Sequence, residues 1–164
     1  MHDFIVQCAQ WLVQTSFAEA TVNSDYLFPL LESIHVIGVG LVIGTISLVD
    51  LRLLGWAWTR RSVRDVAGHI LPIAWSGFAI ALLSGSLMFV ANATSYIENP
   101  FFLSKLVVLS VAGLNMLVFH RLTWRSIETW DTAHRPPVAA RSAGAVSLSC
   151  WIVVVFLGRW VGFV

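Results

Sequence analysis

The stretch Leu27–Leu54, LFPLLESIHVIGVGLVIGTISLVDLRLL, decides the fold. Between Glu32 and Asp50 it carries a single ionisable side chain, His35. A helix needs about 20 predominantly apolar residues to cross the hydrocarbon core of a bilayer, and this run is longer than that. Three more runs of the same kind follow, over about 66–93, 101–123 and 140–163. The segments between them carry the breakers and the charges: Trp56–Asp65, Thr94–Pro100, and Trp124–Pro137 with its Pro136-Pro137 stop. Barrel strands would alternate apolar and polar residues over about ten positions, and no segment does so.

Composition agrees. Of 164 residues, 57% are hydrophobic and 12% charged, with mean hydropathy +0.79. Soluble domains carry about twice that charged fraction. A chain this short cannot hide such an apolar excess from water, which argues against a water-soluble enzyme and against a disordered chain. The net charge of +1 gives no long-range pull on nucleic acid. Cys8 and Cys150 lie far apart, without the spacing of a disulfide framework or a CxxC site. The expected fold is all-α: an integral membrane four-helix bundle over 25–164.

Residues 1–24 precede it. Phe4, Ile5, Cys8, Trp11, Leu12 and Thr15 recur at helical spacing, with Gln7, Gln10 and Gln14 opposite, as in a helix lying flat in the interface. Phe17-Ala18-Glu19-Ala20 weakly resembles a cleavage site, but Asp3 and the lack of Lys or Arg speak against a signal peptide.

Arginine placement sets the orientation. Arg52, Arg60, Arg61 and Arg64 surround the first connection, and Arg121, Arg125, Arg135 and Arg141 surround the third. The other side has Lys105 and Arg159 beside Asp3, Glu19, Asp25, Glu32 and Glu98. This predicts a multi-pass membrane protein with basic loops in the cytoplasm and both termini on the outer side. Trp56, Trp58, Trp124 and Trp130 flank the cytoplasmic span ends as an aromatic belt, and Asp50 and Arg52 are expected at the same border.

Helices in lipid pack through small residues. Gly40 and Gly44, the stripe Gly77, Ala81, Gly85, and Gly158 with Gly162 supply them. The same glycines could instead make room for a flat cofactor.

Ionisable groups at membrane depth are costly and usually functional. His69 and His120 sit about one turn from the cytoplasmic ends of the second and third spans, at a shared depth. Facing imidazoles at one depth are what bis-histidine ligation of haem b iron requires. Gly77 and Gly113 lie about two turns deeper, where a macrocycle would need space, and Arg61, Arg64, Arg121 and Arg125 would meet its propionates. The alternative is a pair of solvated interfacial histidines. His35 lies about two turns in from the outside, and Met88 is at a comparable depth, so a second haem with His/Met ligation is conceivable. His35 could instead handle protons with Glu32 at a quinone pocket, or simply be a hydrogen-bonded core histidine. No zinc-type cluster, phosphate loop or catalytic triad occurs.

The runs Leu31-Glu32-Ser33-Ile34-His35-Val36-Ile37-Gly38 and Asp50-Leu51-Arg52-Leu53-Leu54-Gly55 resemble the opening helix of a family of small bacterial inner-membrane proteins of unknown function. That resemblance implies a four-helix bundle and brings no chemistry. More remotely, a bundle with histidines near its span ends is similar in architecture to b561-type haem b cytochromes, though with one matched histidine pair rather than two. The functional expectation is a cytochrome b-like subunit that carries electrons between the quinone pool and a partner, within a larger redox complex or a homo-oligomer. The competing expectations are a small transport subunit with Glu32, His35 and Asn115 along a polar path, and a cofactor-free membrane anchor.

Overall fold

The computed structural model describes residues 2–163, which fold into helices joined by short connections and contain no strand. Two short helices open the chain, α1 (His2–Val13) and α2 (Ser16–Val22). The four long ones are α3 (Leu27–Leu54), α4 (Val63–Ala91), α6 (Pro100–Val118) and α7 (Val138–Trp160), with the short α5 (Ala93–Glu98) between α4 and α6. A π-helical turn (Phe119–Thr123) and a 3₁₀ segment (Trp124–Thr129) extend α6. Four helices are thus long and apolar enough to cross a membrane, and the protein is an all-α four-helix membrane protein.

Local chemistry sets the boundaries. Gly55 closes α3 with a left-handed φ of 76°, donating its N–H to the carbonyl of Arg52. Ser62 caps α4 by accepting from Asp65 N at 2.9 Å, so that helix begins three residues before the apolar run does. Asn99 caps α6, its Oδ1 accepting from the N–H groups of Phe101 and Phe102 at 3.0 and 3.1 Å, and Pro100 takes the first helical position. Residues 94–98, expected as a connection, form α5. The expected single interfacial helix is broken at Thr15, whose side chain caps α2.

The long helices pack in the order α4–α3–α7–α6. Side chains bridge the two outer helices. At the end nearer the chain termini, Phe89 of α4 stacks on Phe102 of α6. At the opposite, basic end, Phe119 joins a buried cluster with Val66, Ile70, Leu53 and Trp130. No residue of α6 is buried, as expected of a helix whose outer face meets lipid. α1 and α2 lie against α4, α5 and the start of α3. Ala9 and Ala18 face the protein, whereas Phe4 and Trp11 are 69% and 68% exposed, an apolar surface suited to the membrane interface.

The α3–α4 seam is the tightest. A Cβ on Gly77 would come within 2.8 Å of Leu41 Cβ and 3.0 Å of the Gly38 carbonyl. Gly77 therefore brings two backbones together. The Gly40–Gly44 step faces open space, with nothing near a Cβ at either position.

Candidate functional site

The polar side chains enclosed in the spans fall into two groups, one toward each end. His35 anchors the group at the terminal end. Its Nδ1 lies 2.9 Å from the Ala81 carbonyl and 3.2 Å from Ser84 Oγ. A carbonyl only accepts, so Nδ1 carries the proton and Nε2 is left with a lone pair. Ser84 donates its own hydroxyl hydrogen to Ile80 O at 2.6 Å, which leaves Oγ able to accept from His35. The ring rests on Gly85, where a Cβ would approach Cε1 to 2.9 Å. Gly77, Ala81 and Gly85 thus form one stripe that both packs α3 and seats the imidazole.

Two charged residues act on His35 electrostatically, Lys105 and Glu32. Lys105 leans inward from α6, its Cδ 3.8 Å from where a Gly158 Cβ would be and its ammonium 5.6 Å from the centre of the Phe102 ring. Glu32, one turn before His35, also acts on Tyr96. Phe89, Tyr96 and Phe102 form a near-parallel stack, with centroids 5.0–6.2 Å apart. Burial and the Glu32 charge hold the Tyr96 phenol above its ordinary value, so it remains a hydroxyl donor. The site combines an imidazole acceptor, an ammonium donor, a carboxylate toward the surface and a flat aromatic wall. Met88 follows one turn beyond Gly85 on α4, and the ring's contacts run to Ala81, Ser84 and Gly85 rather than to it.

His69 and His120 do not come together as a pair. The His69 side chain is 81% exposed, with Nδ1 2.8 Å from its own Asp65 carbonyl and 3.4 Å from the Asp65 carboxylate. His120 is exposed too, its Nδ1 2.9 Å from Met116 O and its ring stacked on Trp124 at 5.6 Å. The reason is helical phase: Ile70 and Phe119, their chain neighbours, occupy the buried face. Both rings turn outward with Nε2 free. Gly113 has open space at its Cβ position. Arg61 is paired with Asp65 at 3.4 Å, Arg121 borders an open groove with Leu117, Val118 and Leu122, and Arg125 is exposed. Asn115 is engaged with α7, donating Nδ2–H to Ala143 O at 3.0 Å, well away from Glu32 and His35.

Arg52 heads the second group. It is 0% exposed, donating Nε–H to Arg61 O at 2.9 Å and Nη2–H to Asp131 O and Ala133 O at 3.2 Å each. The same strand of loop is fixed to α4 by Val63 N on Asp131 O and by Arg64 N on the Asp131 carboxylate, at 3.0 and 2.8 Å. One guanidinium therefore ties both basic connections to the end of α3. Asp50 and Arg52, expected at the cytoplasmic border, are both buried there, Arg52 under loop 131–133 and Asp50 against α7. The sequence reading left Tyr96 out of the site. The available signal was aromatic spacing, Phe89, Tyr96 and Phe102 clustering around Asn99. Comparison with family models, with curated proteins and with solved structures gives no match, so the site rests on its own geometry.

Proposed function

We propose that this protein is an electron-transfer subunit of a bacterial inner membrane, which exchanges electrons and protons with the quinone pool at the His35 site. The basic loops then face the cytoplasm and the His35 site opens toward the periplasmic half of the bilayer. The observation that carries the reading is the fixed His35 tautomer. The Ala81 carbonyl holds Nδ1–H, so Nε2 keeps its lone pair on a ring that Lys105 and Glu32 influence through space.

Oxidising a quinol to a quinone releases two electrons and two protons. His35 Nε2 accepts the proton of one ring hydroxyl and hands it to Glu32, nearer the surface, and the restored imidazole takes the second proton by the same route. Lys105 stabilises negative charge on the ring oxygen, where a low dielectric makes its ammonium count for more. The aromatic stack offers a flat face to a flat head group. Haem b, when bound, would supply the one-electron acceptor. His69 and His120 have the chemistry to hold it, because each gives Nδ1–H to a carbonyl and keeps Nε2 for iron. The outward rings of His69 and His120 suit a haem shared with a second copy or a partner subunit.

The test separates the roles. In His35→Ala, haem content per chain should hold while quinol-driven reduction slows. Equal reduction rates in variant and wild type would remove His35 from the quinone site.

A further inference from the structure

The last two turns of α3 hold the two buried side-chain atoms that lack a hydrogen-bond partner among the described residues, Asp50 Oδ2 and Arg52 Nη1. Asp50 is 3% exposed. It sits in the α3–α7 seam, where a Cβ on Gly144 would stand 3.0 Å from the Asp50 backbone oxygen. α7 therefore packs directly on the backbone of this turn.

The groups around the carboxyl supply no counter-ion. Arg52, two positions on, points to nearly the opposite side of the helix, and its guanidinium is engaged by three carbonyls of the loops. From α7, Ser147 faces the carboxyl, Cys150 is a buried thiol one turn further on, and Arg141 is exposed. From α4, His69 turns outward to Asp65. From α6, Asn115 is bonded to Ala143 O and His120 is exposed. A carboxylate here would lose its hydration and gain no cation in return, at a cost far above that of a neutral acid.

We infer that Asp50 is a proton-binding site inside the membrane, which carries its proton at neutral pH. Releasing that proton requires the α3–α7 seam to part and admit water to the carboxylate. The site is distinct from the one around His35, since fifteen residues of helix put about 22 Å between them.

Infrared spectroscopy of the full chain in bilayers, with carboxyl-¹³C aspartate, tests this. The chain has aspartates at positions 3, 25, 50, 65 and 131. At neutral pH the spectrum should contain the carbonyl stretch of one protonated aspartic acid, shifted by the label, lost in Asp50→Asn and bleached by alkali. Should that variant fail to accumulate, Asp50→Glu should move the acid band to the unlabelled position. Carboxylate bands alone, or a labelled acid band that survives either substitution, would overturn the inference.

Discussion

The Nδ1 of His35 and the backbone oxygen of Ala81 are joined by a 2.9 Å hydrogen bond from α3 to α4, made inside two membrane spans. It sets the imidazole tautomer and fixes the ring over Gly85, so the chemistry of His35 depends on a glycine of the neighbouring helix. A methyl group at that position would meet Cε1 at 2.9 Å and push the ring off its acceptor. Gly85→Ala should therefore insert and melt like wild type, yet slow quinol-driven reduction by about fivefold, the equivalent of ~1 kcal/mol of lost positioning. Stopped-flow reduction beside a thermal melt checks both halves.

The glycines divide by what lies over them. Gly77→Val drives a branched side chain into Leu41 and the Gly38 carbonyl, and should cost about 1–3 kcal/mol or more of stability. Gly40→Val points into open space and should be nearly silent. Unfolding of the two variants in mixed micelles, measured side by side, should show this order; equal losses would mean that Gly40 also lies in an interface.

Arg52 should tolerate no substitute. Its planar fork serves three carbonyls in different directions, which a lysine's point charge does not reproduce. Arg52→Leu removes all three hydrogen bonds, leaving Asp131 O only the one from Val63 N, and should cost about 3 kcal/mol or more, and Arg52→Lys somewhat less. The local signature is faster proteolysis of the 55–62 and 131–137 segments, because those are what the guanidinium holds down.

Tyr96 supplies a pH dependence. Burial and Glu32 favour its protonated form, so the folded chain keeps this proton to higher pH than the unfolded chain does. The stabilisation is then fully present below the unfolded value of about 10 and fades as pH climbs through the folded one. In a Tyr26→Phe background Tyr96 is the last tyrosine, and its phenolate absorbance should rise above the ordinary midpoint. Tyr96→Phe should remove the corresponding alkaline loss of stability.

How much of this was legible in the sequence follows from which residues carry the signal. α3 lies where the apolar run places it, from Leu27 to Leu54, because hydropathy and the Gly55 stop are local. The start of α4 was read late because Ser62 and Asp65, a cap and its partner, look like loop residues in a hydropathy scan. His35 stood out as an ionisable group at membrane depth, with Glu32 one turn before it and Lys105 at the outer border, but the influence of Lys105 on the ring depends on how α6 is rotated. For His69 and His120, helical phase was the missing quantity; one residue's rotation separates the buried Ile70 from His69. The burial of Arg52 depends on a loop about 80 positions away, and that of Asp50 on α7, so no local pattern reveals either.

The proposed electron-transfer role needs a b-type haem on the chain. A dithionite-reduced minus oxidised absorbance spectrum of the purified protein tests it most directly. The account requires the α band of a low-spin b-type haem, weakened or lost in His69→Ala and His120→Ala although both variants fold, since neither side chain is buried. A wild-type spectrum without that band, from protein purified intact from haem-replete membranes, would contradict it.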